Sequence, residues 1–386
     1  MDFSLKAQVI LRYKIELISG TRIGGSKENI EIGGVDNPVI KLPYDMPMYT
    51  RDSNGNLEKA QLEEKYITLP KGSPYIPGSS LKGKIRSFME WTLVEPKGYW
   101  EDSNFLQEIL DKLEEIEEND LQNFLKENSN VKKETSVSYM VRKNENSKDF
   151  FKNAGSPCSC GVCSVCKIFG VGNATTVKSI WEKINKLKAN NNNKKVELFK
   201  LIYPGPPRAT FSDAYLSLES LKLISDVLGK EINELEETDF TELKMENVIN
   251  RLTSQSANLR TNERVPAGME FEGEIVFDIY SEEDSDLLKT LLEYMKELEN
   301  KYIGGSGSRG YGRFKFKDIK VFIKWFEESD KLKKNLDKFI GEYKDLDKPI
   351  KEYKDLGELI NDLNNLINDL NNKIQNLKSN TEASNA

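Results

Sequence analysis

The sequence predicts an α+β fold on a ferredoxin-like βαββαβ core, with helical and cysteine-bearing insertions and a helical C-terminal tail. Three observations predict it. An alternating strand pattern over Lys6–Ile18 precedes an amphipathic helix that opens at Pro77. Two further strand patterns follow, at Arg208–Leu218 and Glu270–Tyr280. A second helix places Leu287, Leu288, Leu291, Leu292, Met295 and Leu298 on one stripe and leads into an alternating strand from Arg313 to Val321. This order is the split βαβ arrangement.

Each element has a local cause. In the first strand Ala7, Val9, Leu11, Tyr13, Ile15 and Leu17 share one face. Two glycine turns follow, Ser19–Ser26 and Gly33–Val39. Pro77-Gly78-Ser79-Ser80 predicts a helix start with a serine cap, and Leu81, Ile85, Phe88, Met89 and Thr92 form its apolar face. Residues 1–93 are the first part of the core. Residues 94–207 are an insertion with an acidic helix around Phe105–Leu125, a cysteine cluster and a basic Asn-rich helix over Ile180–Val196. Residues 208–325 complete the core, with a helical excursion from Leu218 to Leu252 inside a longer insertion at about 219–268. Residues 326–386 are a tail in which Leu356, Leu363, Leu370 and Leu377 recur every seven residues, with Ile360, Ile367 and Ile374 between them. That pattern fits either a parallel two-stranded coiled coil or a helix packed on its own chain. The scaffold is RRM-like, shared with RNA-recognition modules, although a fold alone does not fix a function.

Composition narrows the chemistry. With no histidine in 386 residues, imidazole acid–base catalysis, Ser-His-Asp and Cys-His schemes and histidine metal ligation are excluded. No apolar run is long enough to span a bilayer, and the N-terminus lacks a signal-peptide pattern, so a soluble cytoplasmic protein is expected. The net charge of −7 is unevenly spread. Glu101–Asn128 holds ten acidic and two basic residues, whereas Ile303–Lys324 holds six basic and one acidic. A basic stripe on an acidic protein marks local phosphate binding or a solvated strand face.

All four cysteines, Cys158, Cys160, Cys163 and Cys166, lie within nine residues, with Gly161 allowing a sharp turn. Four thiolates at this spacing suit one structural Zn²⁺, with an iron–sulfur cluster or unliganded thiols as alternatives. Such a site would staple an insertion expected to have little apolar core of its own.

The stretch Gly304-Gly305-Ser306-Gly307-Ser308-Arg309-Gly310-Tyr311-Gly312 lets backbone N–H groups approach a phosphate. Arg309 adds a bidentate donor, and Tyr311 a face for a base or sugar. A glycine-rich protein–protein contact would look similar.

These stretches together resemble the repeat-associated mysterious protein (RAMP) superfamily of CRISPR systems, and within it the backbone-forming subunit of the type III-A Csm effector complex. The resemblance rests on Gly20-Thr21-Arg22-Ile23-Gly24-Gly25, Ile32-Gly33-Gly34-Val35-Asp36-Asn37-Pro38-Val39 and Pro77-Gly78-Ser79-Ser80-Leu81-Lys82-Gly83-Lys84-Ile85-Arg86. It continues through Cys158–Gly170, Arg208-Ala209-Thr210-Phe211-Ser212-Asp213-Ala214, Asn262-Glu263-Arg264-Val265 and the glycine loop, spanning about residues 5–325.

The resemblance implies copies of the chain stacked along a CRISPR guide RNA beside other Csm subunits, including the one that caps the guide 5′ end, with no membrane partner. It implies a thumb-like hairpin, placed around Thr253–Val265, that crosses the guide. It also implies a loop aspartate, here Asp36, that cuts complementary target RNA with Mg²⁺ or Mn²⁺. Read alone, Asp36 suits an Asx-turn better than a catalytic role. Guide contacts would fall to Arg22, Lys82, Lys84, Arg86, Arg260, Arg264, Gly305, Ser306, Arg309 and Tyr311. The expected function is a guide-RNA-binding subunit that is also a metal-dependent endoribonuclease. The alternatives are a purely structural RNA-binding subunit, of type III-A or III-B, and a zinc-stapled oligomerisation protein. Relatives with His in the first glycine turn differ from this chain, where Arg22 points to phosphate contact instead.

Overall fold

The computed structural model describes residues 4–24, 37–51, 57–62, 65–113, 124, 131–171, 174–188, 192–326 and 349–385. Asp36 lies outside them. The elements that build the site are β1 (Ala7–Leu17), β2 (Tyr75–Ile76), α1 (Gly78–Thr92), α2 (Ser164–Phe169), β3 (Ala209–Phe211), β4 (Ala214–Leu216) and α3 (Leu218–Leu228). They continue with β5 (Glu242–Ile249), β6 (Ser256–Arg264), β7 (Glu270–Ile279), α4 (Glu283–Leu298), β8 (Phe314–Trp325), β9 (Lys351–Asp355) and α5 (Leu356–Asn385).

The main sheet runs β9-β8-β1-β7-β4-β2, with β3 also pairing β7, and its pairs are antiparallel. Within it β8-β1-β7-β4 is the fourth-first-third-second order of the βαββαβ core that the sequence predicts. The inward face is apolar because the period-2 patterns of the paired strands are in register. Val9 lies opposite Phe277, Leu11 opposite Ile275 and Ile15 opposite Phe271, and all six are buried. The α1 and α4 helices meet over this face, where Phe88 and Tyr294 make an edge-on ring contact at 5.4 Å. A buried ion pair locks the start of α4 to β3: Arg208 Nε donates to Asp284 Oδ1 at 2.8 Å, and Asp284 Oδ2 accepts the N–H groups of Tyr280 and Ser281.

Several expectations change. The strand expected over Arg208–Leu218 breaks at Ser212–Asp213, which frees Asp213 to accept the Gly78 N–H at 2.8 Å. The residue preceding α1 is Pro77 with no side-chain cap, so Asp213 replaces the expected serine cap and occupies the helix N-terminus with its own carboxylate. The helical excursion from Leu218 ends at Leu228, and Glu242–Ile249 is a strand paired with Ser256–Arg264. The hairpin expected at Thr253–Val265 therefore begins eleven residues earlier, at Glu242, and Thr253 sits at its tip. The acidic helix is described over Ser103–Asp111, and residues 114–123 lie outside the described ones. The insertion has a core of its own: Leu106, Ile109, Ile180, Ile184 and Leu198 are fully buried among its helices.

The tail packs on its own chain. β9 extends the sheet beyond β8, and α5 runs antiparallel to α4, burying Leu359, Leu363, Leu366, Leu370 and Ile374. Ser285–Asn371 and Lys289–Asn364 hydrogen bonds fix the two helices side by side. Among the described residues, no helix is long and apolar enough to cross a membrane.

Candidate nucleic-acid interface and metal centre

The open face of the sheet carries the Tyr75–Tyr215 ring pair at 5.9 Å and Phe322, buried under the Arg12 guanidinium at 4.2 Å. It also carries charges that pair with one another. Arg12 Nε lies 2.8 Å from Glu274, and Lys14 Nζ is ringed by Glu219, Glu270, Glu272 and Asp318 at 3.2–3.9 Å. Burial alone would lower the Lys14 pKa, but Glu219, Glu272 and Glu270 raise it above the ordinary lysine value. Ion pairs occupy the Arg12 and Lys14 part of this face, and the loops at one end of the core are the candidate interface.

There two glycine-rich segments of the sequence meet at Arg22, which lies in the first glycine turn. Gly305 N–H donates to the Arg22 carbonyl at 2.8 Å, and Gly312 N–H donates to Gly20 O at 3.1 Å. At Gly304, φ is +74° and a Cβ would stand 2.2 Å from the Arg22 oxygen, so this contact requires glycine. The guanidinium of Arg22 reaches across the junction, with Nη2 donating to Asn37 Oδ1 at 3.2 Å. Arg22 Nε is buried without a partner among the described residues. Asn37 in turn donates from Nδ2 to Asn262 Oδ1 at 2.8 Å and pairs with that residue as an isolated parallel bridge. The residue that follows Asp36 is thereby fixed between the glycine turn and the root of the β5–β6 hairpin.

The hairpin leans on the glycine loop. Arg309 Nη1 lies 2.8 Å from Glu246 Oε2, Lys244 Nζ sits 4.4 Å over the Tyr311 ring, and Arg264 lies 5.2 Å from the same ring. Burial would raise the Glu246 pKa, but the neighbouring Tyr311 hydroxyl, Arg309 and Lys244 outweigh it and hold the carboxyl below its ordinary value. Burial and the Glu246 charge push the Tyr311 hydroxyl up.

Two expected contacts change role. Tyr311 is fully buried, so it presents no face to a base and serves as the floor on which the hairpin rests. Arg86 donates to Glu90 at 2.9 Å and to the Cys158 carbonyl at 3.0 Å, which makes it a strut for the cysteine segment. The N–H of Gly305 is engaged by Arg22, and Ser306 adopts a left-handed turn with φ +60° whose carbonyl accepts the Arg309 N–H. Lys84 lies 3.8 Å over the Tyr302 ring, whose atoms pack against Gly307, so Lys84 belongs with the glycine loop. Lys82 is on the other face of α1, beside Arg86, and burial together with the Arg86 charge pulls its pKa down. Arg260 is exposed on β6 opposite Glu246, and Arg264 pairs with Glu242 at 2.6 Å.

The sequence reading quotes Asn37, Asn262, Glu263 and Asp213 within its motifs and gives none of them a role. The first three meet across more than 220 positions of sequence, and no local pattern marks such a contact.

The cysteine cluster forms a second centre. The four Sγ atoms lie within 4.8 Å of one another and are buried. Cys158–Cys163 and Cys160–Cys166 are each 3.9 Å apart, close to the tetrahedral edge of about 3.8 Å that follows from metal–sulfur bonds of about 2.3 Å. The donor set therefore fits one closed four-thiolate ion. The surrounding contacts orient it: Trp100 Nε1 donates to Cys160 O at 2.6 Å, and Glu90 accepts the Cys158 N–H at 2.9 Å. Lys97, with its side chain fully buried, pairs with Glu95 at 2.9 Å. Burial pulls the Lys97 pKa down, but the Cys163 and Glu95 charges outweigh it and keep a cation beside the thiolates.

The sequence model of the RAMP superfamily matches residues 14–315. The chain is 32% identical over 342 residues to the CRISPR system Cms endoribonuclease Csm3 of Methanocaldococcus jannaschii, covering 87% of this chain and 91% of that protein. It is 31% identical over 303 residues to the protein of the same description from Methanothermobacter thermautotrophicus, covering 78% of this chain and 81% of that one. The crystal structure of Methanopyrus kandleri Csm3 aligns over 95% of this chain and 98% of its own, at 21% identity and a TM-score of 0.40. With a family match over most of its length and relatives above 30% identity aligned over most of theirs, the chain belongs to the RAMP superfamily, among proteins described as Csm3 endoribonucleases.

Proposed function

We propose that this chain is a guide-RNA-binding backbone subunit of a type III-A CRISPR complex that cleaves complementary target RNA at Asp36. The observation that supports it best is the convergence on Arg22 of the glycine loop and of Asn37, the residue that follows Asp36. A guanidinium there is suited to a phosphodiester, and the carboxylate next in sequence to Asn37 supplies the chemistry. With no histidine in the chain, a carboxylate is a natural acceptor for the ribose 2′-OH proton. The 2′-oxygen then attacks the adjacent phosphorus in line, the P–O5′ bond breaks, and water protonates the departing 5′-oxygen. A divalent ion such as Mg²⁺ or Mn²⁺, held by Asp36 and RNA phosphates, would neutralise charge on the reacting phosphate.

Guide contacts on this reading are Arg22, Lys82, Lys84, Arg260, Arg264, Ser306 and Arg309, which hold the backbone while base pairing selects the target. The proposed partners are guide RNA, target RNA, further copies of the chain and other Csm subunits, in the cytoplasm. The cysteine site holds Zn²⁺, since four thiolates close the coordination sphere and leave no position for substrate.

The test is cleavage of complementary RNA by the assembled complex carrying Asp36→Ala. Loss of cutting with guide and target still bound is the expected result. Unchanged cutting sinks the catalytic assignment and leaves the structural RNA-binding role.

A further inference from the structure

Glu263 is a buried carboxylate at the end of β6, and its bonds tie both arms of the hairpin root to the segment after Asp36. Its Oε2 accepts the Val39 N–H at 2.9 Å, and its Oε1 accepts the Thr241 hydroxyl at 2.8 Å and pairs with Lys41 Nζ. Its backbone N–H donates to Asn37 O at 3.2 Å. Lys41 is held from a second side by Glu237 at 2.8 Å, just before the hairpin begins. Both arms of the hairpin root, Thr241 and Glu263, are therefore stitched to Asn37–Lys41 through one side chain.

We infer that Glu263 is a positioning residue that couples the seating of the hairpin to the placement of the cleavage loop. The inference rests on the reading of Asp36 as the cleaving residue and adds how that residue is registered to the RNA. A hairpin that lies across a guide–target duplex carries β6 with it, and Glu263 transmits that position to Val39 and Lys41, a few residues from Asp36. No other carboxylate among the described residues bonds to both segments. Its burial makes the coupling strong: an acceptor with charge-assisted partners and little water around it has no comparable alternative position. The residue itself does not touch the reacting atoms.

The experiment uses the full chain in its assembled complex with Glu263→Ala, Glu263→Gln and Thr241→Val, and Asp36→Ala as reference. Two quantities are read: amide exchange at Val39, and single-turnover cleavage of bound target alongside guide and target affinity. Glu263→Ala should speed exchange at Val39 and slow cleavage on the order of tenfold to a hundredfold, with affinity unchanged, because a misplaced group loses rate without losing binding. Glu263→Gln keeps an oxygen for the Val39 N–H and should recover much of the rate. Asp36→Ala should abolish cutting with Val39 exchange unaltered. Cutting by Asp36→Ala would remove the catalytic assignment, while the Glu263 variants would still decide the coupling. Wild-type cleavage by Glu263→Ala, or slowing that only tracks lost guide binding, overturns the inference. Should that variant fail to fold, Thr241→Val carries the test, and wild-type exchange and cleavage in it overturn the coupling.

Discussion

Arg309 Nη1 lies 2.8 Å from Glu246 Oε2, and this pair ties the glycine loop to the first strand of the hairpin. Arg309 is more than half exposed, so the pair itself contributes little stability. On the proposed reading of the junction as a guide contact, an entering phosphate must displace the Glu246 carboxylate from Arg309. Arg309→Ala should weaken guide binding and reduce the slope of log affinity against log salt by about 0.7, the share of one phosphate contact on a single strand. Glu246→Gln should tighten guide binding, because it removes the competing anion. Filter binding across a salt series measures both.

The cysteine centre predicts metal dependence of the insertion. A strong chelator should release one zinc per chain and lower the thermal midpoint, and Cys163→Ser should do the same without chelator. Trp100 donates to the Cys160 carbonyl, so its fluorescence should change as the ion leaves, and a Trp100→Phe variant should lose that signal. Release should become easier as pH falls, since protons compete for the thiolates. Retained structure and midpoint after complete metal removal would count against the assignment.

Arg208 and Asp284 are nearly inaccessible to solvent and satisfy each other, with Pro204 and Pro206 carbonyls accepting from the same guanidinium. Arg208→Ala leaves a buried unpaired carboxylate and should cost about 3–5 kcal/mol in chemical denaturation. The double variant Arg208→Met/Asp284→Leu should recover only part of this, because the Tyr280 and Ser281 N–H groups lose their acceptor.

Leu370 is fully buried between α5 and the core, so Leu370→Ala should destabilise the chain by about 2–5 kcal/mol. Its oligomeric state should not change, because the tail packs within one chain. A Ser285→Cys/Asn371→Cys pair should form an intramolecular disulfide, visible as a monomer band on a non-reducing gel. A crosslinked dimer would restore the coiled-coil reading.

The core was legible because its signals are local. Alternation in β1 and the leucine stripe of α4 arise from which side chains must leave water, and both faces are buried where the pattern puts them. The four cysteines were equally legible, since nine residues of chain suffice to bring their sulfurs together. The heptads of the tail were ambiguous for a physical reason. An apolar stripe specifies burial but not against which surface, and α4 offered one on the same chain.

The sequence by itself determined the order of the core strands and helices, the absence of imidazole chemistry and the thiolate cluster, because these depend on residue type and short-range spacing. Only the tertiary structure decided that Asp213 caps α1, that Arg86 braces the cysteines, that Tyr311 lies under the hairpin, and that Glu263 joins the hairpin to the segment after Asp36. Each of these is a polar or aromatic group whose partner is set by chain crossings far apart in sequence. A charged side chain looks the same in a list of residues whether it meets RNA or another part of its own fold, and burial with its partners is what separates the two.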